Sequence, residues 1–376
     1  MRTYDALTSS PVAFAKTTCN LCDSDIPVTA DRYHCLDCHQ DFCNACKASQ
    51  HAHVQGHPAF HLCVVYPGLK TPDDSQRKDI ISAWREDLER NQRFGAAATF
   101  FSDYALAILD AKTERLGLMG ETATYAELAL NRIIELRSMG RFVDFFARRT
   151  LAGTVLGGGM QVFSQGVSDA NRWKGIPLLK GVYDFALYPL MLNKIQPATI
   201  FEFGSEAGGS ACWLADLTAS FDIDCHVYSV DLNPPSLKHE RITFIQGDSR
   251  SPEIAFPAEL LLQAPHPWLI VEDSHVNIQG ILEYFSKFMQ PGDYFIIEDE
   301  NAESDIGKHL LMHPGQYWVD TFFTDYFGYN ATCSSDQILA FKPPIDGIDE
   351  KTPKGDAEQL TRSHRLHFQA GFFQPA

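Results

Sequence analysis

Basic side chains are the scarce class in this 376-residue sequence: 31 Lys and Arg stand against 48 Asp and Glu, a formal net charge of -17. Polyanionic partners reward surplus Lys and Arg, so neither nucleic acid nor an anionic membrane surface is expected as a general partner. No run of about 18 apolar residues occurs, the length a spanning helix needs. The first twenty residues, MRTYDALTSSPVAFAKTTCN, lack an apolar stretch of signal-peptide length. A cytoplasmic or nuclear location with no membrane span is therefore expected. Cysteine is thinly spread except at one place: six of the ten fall between Cys19 and Cys46. With no export signal, that clustering favours metal ligation over disulfides. Apolar residues are plentiful, at 45%, and the length allows two domains with a sizeable core.

The cysteine cluster reads Cys19-x2-Cys22, Cys35-x2-Cys38 and Cys43-x2-Cys46, followed by His51, His53, His57 and His61. Each C-x2-C pair places two thiolates on one tetrahedral ion, and three pairs with two histidines supply enough ligands for two zinc ions. A segment of about 50 residues has too little core to fold alone, so metal binding would supply its folding free energy. The stretch RYHCLDCHQDFCNACKASQHAHVQGHPAFH resembles a ZZ-type zinc finger over roughly residues 19–65. The resemblance implies a cross-brace in which Cys19, Cys22, Cys43 and Cys46 hold one zinc. Cys35 and Cys38 hold the other with two histidines, His57 and His61 being favoured and His51 and His53 the rival pair. It also implies a binding role toward protein tails or N-termini, with Asp41 placed either to meet an amine or as an ordinary turn carboxylate.

Residues 1–65 are thus expected to form the finger. Tyr66 to Ser75, YPGLKTPDDS, reads as a linker. Ile80, Ile81, Trp84 and Leu88, then Leu128, Ile133 and Leu136, recur at helical spacing, so residues 66–172 read as linker and helical cap. That helical reading extends through RFVDFFARR, and LGGG (156–159) would break it.

The stretch around which the remainder is organised is ATIFEFGSEAGGSA (198–211), a strand, glycine turn and helix start. Further β-rich runs follow at 225–231, 242–248, 267–273 and 293–299, with helix-like segments between most of them, as in a parallel α/β sheet. Acids end these runs, where such a sheet binds ligands. Asp231, 22 residues beyond Gly209, can accept hydrogen bonds from ribose hydroxyls, and Asp248 can reach a purine. Glu272, Asp273, Glu298 and Asp299 end neighbouring strands, and so many carboxylates call for protonation or a hard divalent cation.

The runs ATIFEFGSEAGGSA, VYSVDLN, FIQGDS, LIVEDSH and GDYFIIEDE resemble the class I S-adenosylmethionine methyltransferases of the cephalosporin hydroxylase-like group, to which macrolide and rhamnosyl O-methyltransferases are related. WKGIPLLKGVYD before the sheet and NATCSSDQILAFK after it are similar to that family's flanks, so the resemblance covers about residues 173–342. It implies a Rossmann-like class I methyltransferase sheet, carrying a helical N-terminal extension and a small cross-brace zinc-binding domain. It further implies a cofactor cradle of Glu202, Gly204, Ser205, Gly208 and Gly209, with Asp231 on the ribose and Asp248 and Ser249 near the adenine. Mg2+ would be held by Glu272 or Asp273 together with Glu298 and Asp299. No Fe(II) facial triad is evident, despite the group's name.

His275, in EDSH, is the candidate general base, since imidazole ordinarily titrates near neutrality; its alternative is support of the metal. Residues 343–376 read as a mobile tail. The function expected is metal-assisted methylation of a small-molecule hydroxyl. Two other readings are a protein or peptide methyltransferase recruited by the finger, and a non-catalytic interaction protein with a cofactor-binding scaffold. GSEAGGS departs from G-x-G-x-x-G, which argues against an NAD-linked dehydrogenase.

Overall fold

Strand and helix alternate from Asn171 onward because β-branched and aromatic runs are interrupted by helix formers and turn residues at regular intervals. The computed structural model describes residues 13–14, 17–27, 29–36, 40–48, 63–66, 68, 141–149, 153–154, 171–299, 302–327 and 330–344. The chain divides into two compact units, one of Met1–Arg141, Phe146–Gly157 and Arg365–Ala376, the other of Phe142–Phe145 and Gly158–His364.

The second unit is built on a sheet of β1 (Thr199–Phe203), β2 (His226–Asp231), β3 (Ile242–Gln246), β4 (Trp268–Glu272), β5 (Tyr294–Ile297), β6 (Tyr317–Asp320) and β7 (Ile338–Phe341). Their spatial order is β3-β2-β1-β4-β5-β7-β6, closed at the far edge by the short strand Phe142–Val143. The first five are parallel, while β7 enters antiparallel between β5 and β6. Five parallel strands correspond to the five β-rich runs of the sequence. Asp273, Glu298 and Asp299 fall just past the ends of β4 and β5 rather than within them. The antiparallel pair was not apparent beforehand. Nor was the strand at Phe142–Val143, which the helical periodicity assigned to a continuing helix. Instead it pairs with β6, and a helix begins only at Phe145.

Helices cover both faces, so the central strands are buried end to end, the usual condition of a parallel sheet. On one face α1 (Val182–Ile195) and α2 (Gly209–Ser220) pack Leu187, Met191, Leu192, Trp213 and Leu214 against Ile200, Val227, Leu269, Val271 and Ile296. On the other, α3 (Ile278–Phe285) contributes Phe285 to a ring cluster with Phe201, Phe203 and Phe256, centroids 5.0–5.7 Å apart. Burial of each such ring is worth about 1.5–3 kcal/mol. This rigid block fixes the loops at the carboxyl edge of β1, β2, β4 and β5.

A hairpin of Arg172–Trp173 and Ile176–Pro177 precedes α1. It is fastened to α2 through Asp216, whose carboxylate accepts from Trp173 Nε1 at 2.6 Å and Lys174 Nζ at 2.8 Å. The fit is tight: a Cβ on Gly209 would stand 1.9 Å from the Pro177 carbonyl oxygen.

In the first unit, Arg32–Cys35 lies between Asp41–Cys43 and Cys63–Tyr66 in a three-stranded antiparallel sheet, and Thr17–Thr18 pairs with Asp25–Ile26. Among the described residues of this sheet region, the buried apolar side chains include Cys19, Ile26, Cys35, Leu36, Phe42, Val64 and Tyr66. The helical positions between Ile80 and Leu136, the 156–159 glycines and the tail beyond residue 344 lie outside the described residues. No described helix is long and apolar enough to cross a membrane.

Candidate functional site

A cavity of about 660 Å³ opens at the carboxyl edge of the sheet, where strand order reverses between β1 and β4. Its wall contains Gly204, Ser205, Gly209, Asp231, Asp248, Ser249, Asp273, His275 and Asp299, residues brought together from the ends of five parallel strands. Glu202, Gly208, Glu272 and Glu298 lie behind that wall. Ser210, Arg250 and the apolar Leu179 and Leu232 also line it, and nothing in their sequence pattern singled them out.

The floor is set by β1. Gly204, at φ 98°, passes so close to β4 that a Cβ would be 2.6 Å from the Asp273 carbonyl oxygen. Glu202 is buried beneath it and accepts hydrogen bonds from Ser210 Oγ at 2.5 Å and from Ser229 Oγ. Burial pushes its carboxyl above the ordinary range, against those two hydroxyls. Ser205, also buried, shares a 2.6 Å hydroxyl bond with Ser229. Glu202 thus fixes the loop rather than facing the cavity. Gly208 caps α2 at positive φ, packed beneath Pro235, Leu237 and Phe244.

Asp231 faces the cavity and ties two loops, accepting from the backbone N–H of Glu206 at 3.0 Å and of Asn233 at 2.9 Å. Asp248 accepts from the Arg250 N–H at 2.9 Å, an Asx turn on the cavity rim, and the Ser249 carbonyl accepts from Asn277 Nδ2. If Asp231 accepts from the ribose hydroxyls, as the sequence resemblance implies, Asp231→Ala should weaken S-adenosylmethionine binding by about 1–3 kcal/mol. Calorimetry on the folded variant checks this, and unchanged affinity would remove Asp231 from the cofactor.

The acids of β4 and β5 divide into two layers. Asp273 and Asp299 face the cavity. Burial, then the charge of Asp273, pushes the Asp299 carboxyl above its ordinary range. Glu272 is fully buried; its Oε1 accepts from Ser274 N–H at 3.0 Å and Ser274 Oγ at 2.6 Å, while Oε2 has no partner. Burial drives its carboxyl up to about 7. Glu298 is engaged from below by Lys180 Nζ and Tyr188 OH, and Lys180 Nζ also donates to Asp273 Oδ2 at 2.9 Å. Burial disfavours the Lys180 ammonium, but Asp273 and Glu298 outweigh it and hold the lysine charged. Lys180 and Tyr188 are the residues sequence reasoning missed.

His275 is 40% exposed, with Nε2 3.6 Å from Asp273 Oδ1. Three non-glycine residues of the cavity wall, Glu206, His275 and Asp299, have φ of 44°, 57° and 56°. Each such conformation costs on the order of 1–3 kcal/mol, and clustering of this kind marks functional loops.

Cys19, Cys22, Cys43 and Cys46 place their Sγ atoms within 4.8 Å of one another, the only such metal-sized group among the described residues. Cys22 and Cys43 are 3.9 Å apart, near the roughly 3.8 Å edge of a tetrahedron with zinc–sulfur bonds of about 2.3 Å. The Ser24 hydroxyl and amide hold the exposed Cys22 thiol down at about 6. Cys35 is buried; Cys38, His57 and His61, with the rival His51 and His53, lie outside the described residues. Asp41 is not a turn residue: it sits on a strand, partly buried, and pairs with Arg32 at 2.7 Å and His34 at 3.0 Å. Burial opposes its ionisation, yet His34 and Arg32 keep its carboxyl below the usual range.

A glycine-turn cavity on a sheet ordered 3-2-1-4-5-7-6, with its last inserted strand antiparallel, defines a class I S-adenosylmethionine-dependent methyltransferase. The family model described as Rhamnosyl O-methyltransferase/CmcI matches residues 165–318. The rhamnosyl O-methyltransferase of Mycobacterium leprae (strain TN) is 32% identical over 185 residues, covering 43% of this chain and 80% of that protein. The chain belongs to this rhamnosyl O-methyltransferase/CmcI family. A second relative, the rhamnosyl O-methyltransferase of Mycobacterium bovis (strain BCG / Pasteur 1173P2), is 28% identical over 174 residues, 42% of this chain and 69% of that one. A solved structure of CmcI with Mg and S-adenosylmethionine is 29% identical, covering 46% of this chain and 76% of its own, at a TM-score of 0.41.

Proposed function

We propose that this protein transfers the methyl group of S-adenosylmethionine to a hydroxyl of a small molecule, with a divalent cation at the acceptor side of the cavity. The observation that carries this reading is the shared cavity wall in which Asp231, Asp273, His275 and Asp299 meet. The name of the mycobacterial relatives suggests a sugar hydroxyl as the acceptor.

The residues fit both groups. A cavity of about 660 Å³ is of the size that encloses a cofactor, and Asp231 holds a carboxylate toward it. One ammonium, Lys180, stands against the carboxyl groups of Asp273 and Glu298, and burial pushes the Glu298 and Asp299 carboxyls above the ordinary range, a crowding that a dication would relieve. All donors are oxygens, which suits Mg2+ and not zinc. Asp273 and Asp299 would hold the ion, with Glu298 behind them. When bound, Mg2+ would lower the pKa of an acceptor hydroxyl, and the cofactor would supply an electrophilic methyl. Gly204, Asp231 and Asp248 fix the adenosine side, so that the acceptor oxygen can lie in line with the methyl, and positioning supplies much of the rate. His275, beside Asp273, accepts the hydroxyl proton.

In the first unit, Cys19, Cys22, Cys43 and Cys46 would hold one zinc ion, and Cys35 and Cys38 with two histidines a second, in a ZZ-type cross-brace over residues 1–65. The methyltransferase domain would span 173–342, and the expected linker and cap at 66–172 would give up Phe142–Val143, which belongs to the methyltransferase sheet. The four-cysteine group also favours a second reading, in which the finger recruits a polypeptide that is itself methylated.

Binding of S-adenosylmethionine with and without Mg2+, followed by a labelled-methyl screen of glycosides and peptides, tests these readings. Label on a small-molecule hydroxyl supports the first; label on peptide alone replaces it with the second. No cofactor binding at all would overturn both.

A further inference from the structure

Lys180 sits between the hairpin and α1, its side chain 2% exposed. It reaches Asp273 from β4 at 2.9 Å and Glu298 from β5, 93 and 118 residues further along the chain. Its Nζ stands 5.8 Å from the Tyr188 ring centroid, and Tyr188 OH donates to the other Glu298 oxygen. Burying an ammonium is expensive and tolerated only where it is paired and hydrogen-bonded. Lys180 is not among the residues of the cavity wall. What it touches are Asp273, a ligand of the proposed Mg2+ site, and Glu298 behind it.

We propose that Lys180 is the resident counter-cation of this site: its ammonium satisfies Asp273 and Glu298 when no divalent ion is bound, and it tunes divalent affinity by competing for the same carboxylates. The inference rests on the metal reading above. A monovalent ion gains too little to compete with an ammonium already in place, whereas a dication also draws on Asp299. The ion therefore remains exchangeable, and the acids of β4 and β5 stay joined in its absence. Lys180 is thus a positioning residue, acting through the ligands.

The test is Mn2+ binding to the zinc-loaded full chain, read by electron paramagnetic resonance and calorimetry, with S-adenosylmethionine binding measured separately. Lys180→Met should bind Mn2+ at least tenfold more tightly than wild type, since a positive charge next to the ion is gone. Lys180→Gln is the second neutral variant and carries the same expectation if Lys180→Met does not fold. Lys180→Arg, which keeps the charge, should stay within about threefold of wild type, as should Tyr188→Phe, which removes a donor but no charge. In the absence of divalent ions, the neutral variants should melt below wild type and gain more Tm from Mg2+. Unchanged or weaker Mn2+ affinity in a folded neutral variant overturns the proposal and leaves the metal reading standing. An effect of Tyr188→Phe as large as that of Lys180→Met also overturns it, because packing and not charge would then be at work. If neither wild type nor any variant binds Mn2+ while S-adenosylmethionine binds normally, the metal reading falls and this inference with it.

Discussion

Replacing Asp273 and Asp299 together by asparagine should lower acceptor turnover by about 10³-fold, corresponding to about 4 kcal/mol of transition-state stabilisation. The two carboxylates face one cavity, and burial together with the charge of Asp273 already forces the Asp299 carboxyl upward. A pair in that condition is relieved by a bound dication. Asparagine keeps the shape and removes the charge, so the fold should persist while the cation is lost. Affinity for S-adenosylmethionine, fixed on the Asp231 side, should change by less than about tenfold. Turnover of wild type should fail in EDTA and return with Mg2+ alone, which separates this ion from zinc. Full turnover of the double variant in EDTA would leave transfer to proximity and His275, and the metal-assisted reading would be wrong.

An effect of comparable size is expected in the cysteine unit. Wild-type protein prepared without chelator should contain about two zinc ions per chain, and Cys43→Ser about one. Structural zinc contributes an apparent 10–16 kcal/mol in small fingers, more than the few buried side chains of this sheet can replace. Amide protection in Arg32–Cys35, Asp41–Cys43 and Cys63–Tyr66 should therefore collapse in Cys43→Ser. S-adenosylmethionine affinity should be unaltered, because its cavity is built within the other unit. Zinc-free wild type with these cysteines joined as disulfides would sink the finger.

Features whose chemistry is local in sequence were the ones that could be read. The four thiols that meet come from C-x2-C pairs, and the cavity acids from β-rich runs that each stop at or just before an Asp or Glu. Alternation alone placed the five parallel strands. Lys180 gave no such signal: in LLKG it resembles any solvated lysine, and its partners are supplied by strands a hundred residues away. Tyr188 lies within a helical pattern where a core ring is the default. That Asp273 lines the cavity while Glu272 is buried was equally illegible, because adjacent side chains of a strand end differ only in which way they face. β6 and β7 were missed because neither continues the parallel order from which the first five strands were read: β7 enters antiparallel between β5 and β6. Phe142–Val143 is shorter still and takes its conformation wholly from its pairing with β6.

The hairpin at Arg172–Pro177 bears on how the molecule can be taken apart. Pro177 leans on the first turn of α2 with no space for even a methyl group, and Asp216 rivets the hairpin from the middle of that helix. A fragment beginning at β1 would keep every parallel strand and the whole glycine turn. It would lose Pro177 and Leu179 from the cavity wall and strip Lys180 from beneath the acids. A piece that keeps every described residue of the cavity wall therefore starts before β1, at Asn171, and the few residues ahead of α1 are as much a part of the cavity as the parallel strands themselves.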